Sequence, residues 1–232
     1  MLLSIGPALA EPMKCAAFTD AALAPPAART DEHSRQRLAE INTEVKTGPD
    51  RLLFLGDSLT ERWDPAVWRA HFAPRGAVNA GINGDRTEHL LWRLDHGNLD
   101  GAPPQGIVLL IGTNDLGHGR APGLAAEGIR AVLGKLRERV PATRILLLGL
   151  PPREESPGAP LRREVAAVNR LIATCGDDRT ILYADTGGVL LDPQGRLDAT
   201  ISPDRLHFST RGYALLADQL DPLLDRLLAP RP

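Results

Sequence analysis

Five short apolar runs punctuate the chain: Leu53 to Leu55, a brief Ala77-Val78-Asn79, Ile107 to Ile111, Ile145 to Leu150, and Ile181 to Ala184. Each ends at or near a Gly, Asn, Asp or Pro, which predicts buried strands that stop abruptly. The intervening segments carry apolar residues at helical spacing. Thr87 to Asp95 places Leu90, Leu91 and Leu94 on one face, Pro122 to Val140 places Ile129, Val132, Leu133, Leu136 and Val140, and Leu161 to Cys175 places Val165, Val168, Leu171 and Ile172. These are amphipathic helices. His33 to Val45, with Leu38, Ile41 and Val45, predicts a helix before the first strand, stopped by Thr47-Gly48-Pro49-Asp50. A last helix begins near Thr210, with Leu216, Leu220, Leu224 and Leu227 among its apolar positions. Strands alternating with helices at spacings of roughly thirty residues are the mark of right-handed crossovers and a parallel sheet. The fold class that follows is α/β: a three-layer α/β/α sandwich with about five parallel strands and no internal repeat.

Composition narrows this without changing it. A chain of 232 residues, 43% hydrophobic and 24% charged, can bury a core, and residues 31–232 read as a single domain. Residues 1–30 read as an N-terminal extension. Within it Leu2 to Leu9 is apolar and Ala8-Leu9-Ala10 has the small-x-small form of a signal-peptide cleavage site, yet no Lys or Arg precedes it. Two readings stay open: the tail of a signal peptide with Glu11 as first mature residue, hence a periplasmic or secreted protein, or a plain extension on a cytoplasmic one. The apolar stretch is too short to span a membrane. Thr19 to Thr30, rich in Ala and Pro, reads as a linker or a strap over the domain. Cys15 and Cys175 either pair or remain two free thiols. The net charge of -2, with both signs interspersed, makes no case for nucleic acid or an anionic membrane surface as partner, and a small neutral substrate fits better.

The chemistry sits where strands end. Gly56-Asp57-Ser58-Leu59 follows the first strand and presents a hydroxyl there, although a Ser after Asp is most often a turn or cap residue. Asn79 to Asp85 follows the second strand and Gly112-Thr113-Asn114-Asp115 the third, so all three clusters share one rim of the sheet. An acyl-transfer site needs donors aimed at a developing oxyanion, and the Ser58 and Gly84 amides with the Asn114 carboxamide could supply three. Of six histidines, His33, His71, His89 and His96 lie in or beside helical patterns and read as surface or packing residues, and His118 shares its loop with glycines. His207 lies in a non-periodic loop with Asp204 three positions upstream, the spacing at which a carboxylate can orient an imidazole toward Ser58. The plain alternative for Asp204-x-x-His207 is a helix-capping turn. Asp57 is expected to hold its turn through backbone hydrogen bonds. Trp63, Trp68 and Trp92 read as packing aromatics in preference to a sugar platform, and Arg153 either touches substrate or pairs with Glu154 or Glu155.

Taken in order, Gly56-Asp57-Ser58-Leu59, Gly84 in Asn-Gly-Asp, Gly112-Thr113-Asn114-Asp115 and Asp204-x-x-His207 resemble the blocks of the SGNH, or GDSL, esterases and lipases. Asn83 to Thr87, Leu91-Trp92-Arg93-Leu94 and Leu150 to Glu154 are most similar to the catalytic-subunit type of platelet-activating factor acetylhydrolase and its bacterial relatives. The likeness covers about Arg51 to Leu228. It implies a flavodoxin-like SGNH hydrolase fold with no metal or organic cofactor. It also implies Ser58 as nucleophile, His207 as base, Asp204 as its orienter, and Ser58, Gly84 and Asn114 as oxyanion donors. Leu59 and Leu206 would then wall a narrow acyl pocket. The implied activity is hydrolysis of short, acetyl-type esters of a sugar, lipid, or aryl or alkyl alcohol, and the family leaves a homodimer open. The rival reading is a carbohydrate- or lipid-binding module on the same fold without turnover. A flavin or nucleotide binder is disfavoured, because no glycine-rich cradle follows the first strand.

Overall fold

In the computed structural model, which describes Cys15, residues 23–47 and residues 52–230, the first apolar run forms the centre of the molecule. Strand β1 (Leu52–Gly56) is buried at every position and is flanked by β2 (Val78–Gly81) and β3 (Gly106–Leu110), followed outward by β4 (Arg144–Leu148) and β5 (Ile181–Ala184). All four pairings are parallel and the order is β2-β1-β3-β4-β5. That order reverses direction at β1, and open α/β sheets bind ligands at the carboxyl ends of the strands beside such a reversal, here β1 and β3. The signal-peptide reading of residues 1–10 and the Gly48-Pro49-Asp50 stop lie outside the described residues.

The long helices appear where periodicity placed them: α1 (Glu32–Thr47), α4 (Thr87–Leu94), α6 (Pro122–Arg139), α7 (Pro160–Ala173) and α8 (Thr210–Leu228). Proline occupies the first turn of α6 and α7, where its missing N–H is no loss. Three further helices, α2 (Ser58–Glu61), α3 (Pro65–His71) and α5 (Thr113–Gly117), are too short to show a helical period. Strand β2 runs two residues beyond the expected Asn79, because Ala80 and Gly81 pair with Leu55 and Gly56.

Side chains alternate across the sheet, so Phe54, Val108, Leu110 and Leu148 share one face. That face packs against α8, while α4, α6 and α7 pack side by side over the other. An aromatic cluster ties β1 to α3 and α8. Phe54 lies 5.0 Å from Trp68, and Trp63 lies 4.8 Å from Phe72 and 4.7 Å from Tyr213 between ring centroids. Trp92 stacks on His96. Trp63 and Trp68 are therefore packing residues. Cys15 and Cys175 form a disulfide, so the free-thiol alternative does not hold. Nearer the domain, Ala27 N–H donates to Glu88 O and Arg29 to Asn83 O, so residues 27–29 lie as a strap against the domain.

Candidate active site

The turn that follows β1 is built from contacts only small or capping residues satisfy. A side chain at Gly56 would collide with the Thr60 side chain and the Leu110 carbonyl. Asp57 caps α2: its Oδ1 accepts the Leu59 N–H at 2.9 Å, as an N-cap carboxylate does. The expected turn-holding role of Asp57 is thus what the geometry displays. The residue is wholly buried, and that burial pushes its carboxyl up to about 7. Ser58 is the first residue of α2.

The second half of the site arrives on the loop before α8. Asp204 Oδ1 accepts the backbone N–H of Leu206 at 3.0 Å and of His207 at 2.7 Å, while Oδ2 faces His207 Nδ1 at 2.7 Å. Partial burial would raise this carboxyl, but the bonds from His207 and the two backbone amides outweigh it and hold it below the ordinary range. Arg205 closes the tight turn at φ 62°, and Ser202 Oγ donates to His207 O. His207 Nε2 lies 3.0 Å from Ser58 Oγ. A carboxylate can only accept, so Nδ1 carries a proton toward Asp204 and Nε2 is left to take one from Ser58. The other histidines are engaged elsewhere: His33 with Glu61, His71 with Asp221, His89 with Arg86 N–H, His96 with Trp92 and His118 with Asn114 O.

The rim loops are laced together behind Ser58. Ile82 N–H donates to Gly56 O at 3.2 Å, and Gly84 adopts φ 79°, a conformation that favours glycine. Asn114 Nδ2 donates to Asp85 O at 2.9 Å, which joins the Asn114 side chain to the Gly84 loop and leaves its second N–H for another acceptor. Arg93, buried in α4, donates to Asp85 Oδ2 and to Gly56 O, each at 2.8 Å, and to Asn98. Asp115 turns away and accepts from Thr87 and Arg120. Arg93 belongs to the Leu91-Trp92-Arg93-Leu94 block, and its signal in the chain is a charge on the buried side of α4 beside Leu90 and Leu94. Arg153 pairs with neither Glu154 nor Glu155 and donates to Thr113 O at 2.9 Å. Leu59 lines an apolar cavity, with Phe208 and residues of the α8-facing side of the sheet, whose empty volume is about 410 Å³ including space open to solvent. Leu206 is half-buried and lies outside that lining. Among the described residues no three His, Cys, Asp or Glu side chains gather as a metal site, and no helix is long and apolar enough to cross a membrane.

The model of the GDSL-like lipase/acylhydrolase family matches residues 54–215, from β1 into α8. The chain belongs to this family. This GDSL-like acylhydrolase is 40% identical over 190 residues to the alpha1 subunit of platelet-activating factor acetylhydrolase IB from Homo sapiens, covering 80% of each chain. A solved structure from Streptococcus pneumonia named for platelet activating factor superposes with a TM-score of 0.73 at 27% identity, over 83% of this chain and 93% of that one. Axe2, an acetylxylan esterase from Geobacillus stearothermophilus, shares the fold at 21% identity and a TM-score of 0.60, over 81% and 97% of the two chains. The protein is an ester hydrolase of the acylhydrolase class.

Proposed function

We propose that this acylhydrolase is a serine esterase that removes short, acetyl-type acyl groups through an acyl-enzyme on Ser58. The observation that carries the reading is the continuous chain Ser58 Oγ, His207 Nε2, His207 Nδ1, Asp204 Oδ2, with links of 3.0 and 2.7 Å. His207 Nε2 takes the Ser58 proton as Oγ attacks the ester carbonyl, and Asp204 stabilises the imidazolium that forms. The Ser58 and Gly84 amides and the free N–H of Asn114 hold the tetrahedral oxyanion. When that collapses, the alcohol leaves with the proton from His207. A water activated by the same imidazole then attacks the ester carbonyl of the acyl-enzyme, releasing the acid and restoring Ser58.

The acetyl preference rests on the bulk of Leu59, nearly wholly buried beside the nucleophile; Leu206, half-buried and outside the cavity that Leu59 lines, does not share that wall. The acetyl group in the names of the human relative and of Axe2 supports the same reading. Acetylated sugars, lipids and aryl or alkyl acetates all fall within it as substrates, with the corresponding alcohol as leaving group. Ser58→Ala is expected to cut p-nitrophenyl acetate turnover by about a thousandfold or more with an unchanged melting temperature, and to abolish labelling by a fluorophosphonate probe. Near-full activity in that variant would sink the assignment. Across p-nitrophenyl esters from acetate to octanoate, kcat/KM should be highest for acetate or propionate, and a maximum at octanoate would overturn the short-chain reading.

A further inference from the structure

The strap supplies a residue to the oxyanion loop from outside the stretch that defines the family. Arg29 lies well before residue 54, where the family match begins. Its Nη1 donates to Asn83 O at 3.2 Å. That carbonyl and the Gly84 N–H are the two ends of one peptide unit, and among the described residues no acceptor takes that N–H. The guanidinium stands where a Gly84 side chain would be: a Cβ there would fall 2.8 Å from Arg29 Nη1. Arg29 is in turn held by Asp31, through Nε at 3.1 Å and Nη2 at 2.9 Å, and faces the buried Asp85 at 3.9 Å. The neighbouring peptide is fixed from the opposite element, since Asn83 N–H donates to Glu61 and Arg62 donates to Asn83 Oδ1 at 3.2 Å.

We propose that Arg29 is a positioning residue for catalysis: bonded to the Asn83 carbonyl, it fixes the plane of the Asn83–Gly84 peptide and strengthens its N–H as an oxyanion donor. The inference rests on the serine-esterase reading and on Gly84 as one of its donors. A cation on a peptide carbonyl draws electron density from the amide nitrogen, so the N–H at the other end becomes a stronger donor; linked hydrogen bonds reinforce one another in this way. The benefit is realised as negative charge develops on the substrate oxygen, so it belongs to kcat and not to ground-state binding.

The test uses the full chain with Arg29→Met and Arg29→Lys, measured with p-nitrophenyl acetate. Removal of a whole oxyanion donor costs about a hundredfold to a thousandfold in kcat, and weakening one donor among three is expected to cost roughly tenfold. Arg29→Met should therefore lower kcat about tenfold, leave KM within about twofold, and slow fluorophosphonate labelling by a similar factor, because the phosphoryl oxygen uses the same donors. Arg29→Lys, which keeps a cationic donor, should recover part of the loss. A kcat within about twofold of the parent in Arg29→Met overturns the proposal, as does a loss that follows a fall in melting temperature or that Lys does not lessen. Ser58→Ala separates the two readings: if it is inactive while Arg29→Met is unimpaired, only the role of Arg29 fails, whereas an active Ser58→Ala removes both.

Discussion

Asp57→Asn probes the electrostatics directly beneath the turn that presents Ser58. The Asp57 carboxyl is wholly buried; Oδ1 accepts from Leu59 N–H, and Oδ2 has no partner among the described residues. Burial above all, with the neighbouring Asp85 and Asp115 adding to it, pushes the group from an ordinary 3.8 up to about 7. Between these values the native chain holds a proton that the unfolded chain has released. Stability therefore falls as pH rises through that window and is level on either side of it. At 1.36 kcal/mol per pH unit the full span is on the order of 4 kcal/mol. Asparagine cannot ionise. It keeps an oxygen for Leu59 N–H and sets an amide where Oδ2 stood, a pH-independent cost of about 1–3 kcal/mol. Asp85 and Asp115, which burial also raises, titrate in both chains and largely cancel in the difference. Urea denaturation of parent and variant from pH 4 to 8 should show the variant gaining on the parent by about 1.4 kcal/mol per pH unit, levelling off above about pH 7. Parallel stability curves, or a gain that shrinks with rising pH, would refute the account of Asp57 as a carboxyl kept protonated by burial.

Two further outcomes follow from the same hydrogen bonds. Asp204→Asn leaves the loop bonds to Leu206 and His207 N–H available but no longer fixes the proton on His207 Nδ1, so kcat for p-nitrophenyl acetate should fall by about a thousandfold or more while the melting temperature changes little. Arg93→Met strips the buried Asp85 of its main counter-charge and Gly56 O of a donor, which should cost about 3–5 kcal/mol in urea denaturation, and Asp85→Asn in the same chain should recover part of it.

Residues whose chemistry is local were legible in the chain. A strand stopped by Gly56, a glycine within Asn83-Gly84-Asp85 and the Asp204-x-x-His207 turn each declare themselves within a few residues, and the crossover pattern places the loops at Ser58, Gly84 and Asn114 on one rim. The long helices were equally plain, since Leu and Val at helical spacing can be buried only one way. The short helices α2, α3 and α5 were not, because four to seven residues complete no more than two turns. Nor were the supports of the site. Arg93 bonds to Gly56 across 37 residues and Arg29 to Asn83 across 54, partnerships created by packing and carried by no local motif. The pairing of Cys15 with Cys175 is of the same kind, because two cysteines do not announce whether the fold brings them together.

The bond between Ser58 and His207 closes over 149 residues of chain. Contacts of such long range form late, after the loop entropy they cost has been offset by the sheet and its helices. If Ser58, Gly84 and Asn114 act as proposed, a nascent chain that has completed β1 to β5 carries them on the rim and is still inert until the loop at Asp204 and helix α8 dock. On the proposed serine-esterase reading, hydrolytic activity then reports the docking of α8: during refolding it should appear after the sheet's circular-dichroism signal, and on unfolding it should vanish with the detachment of α8.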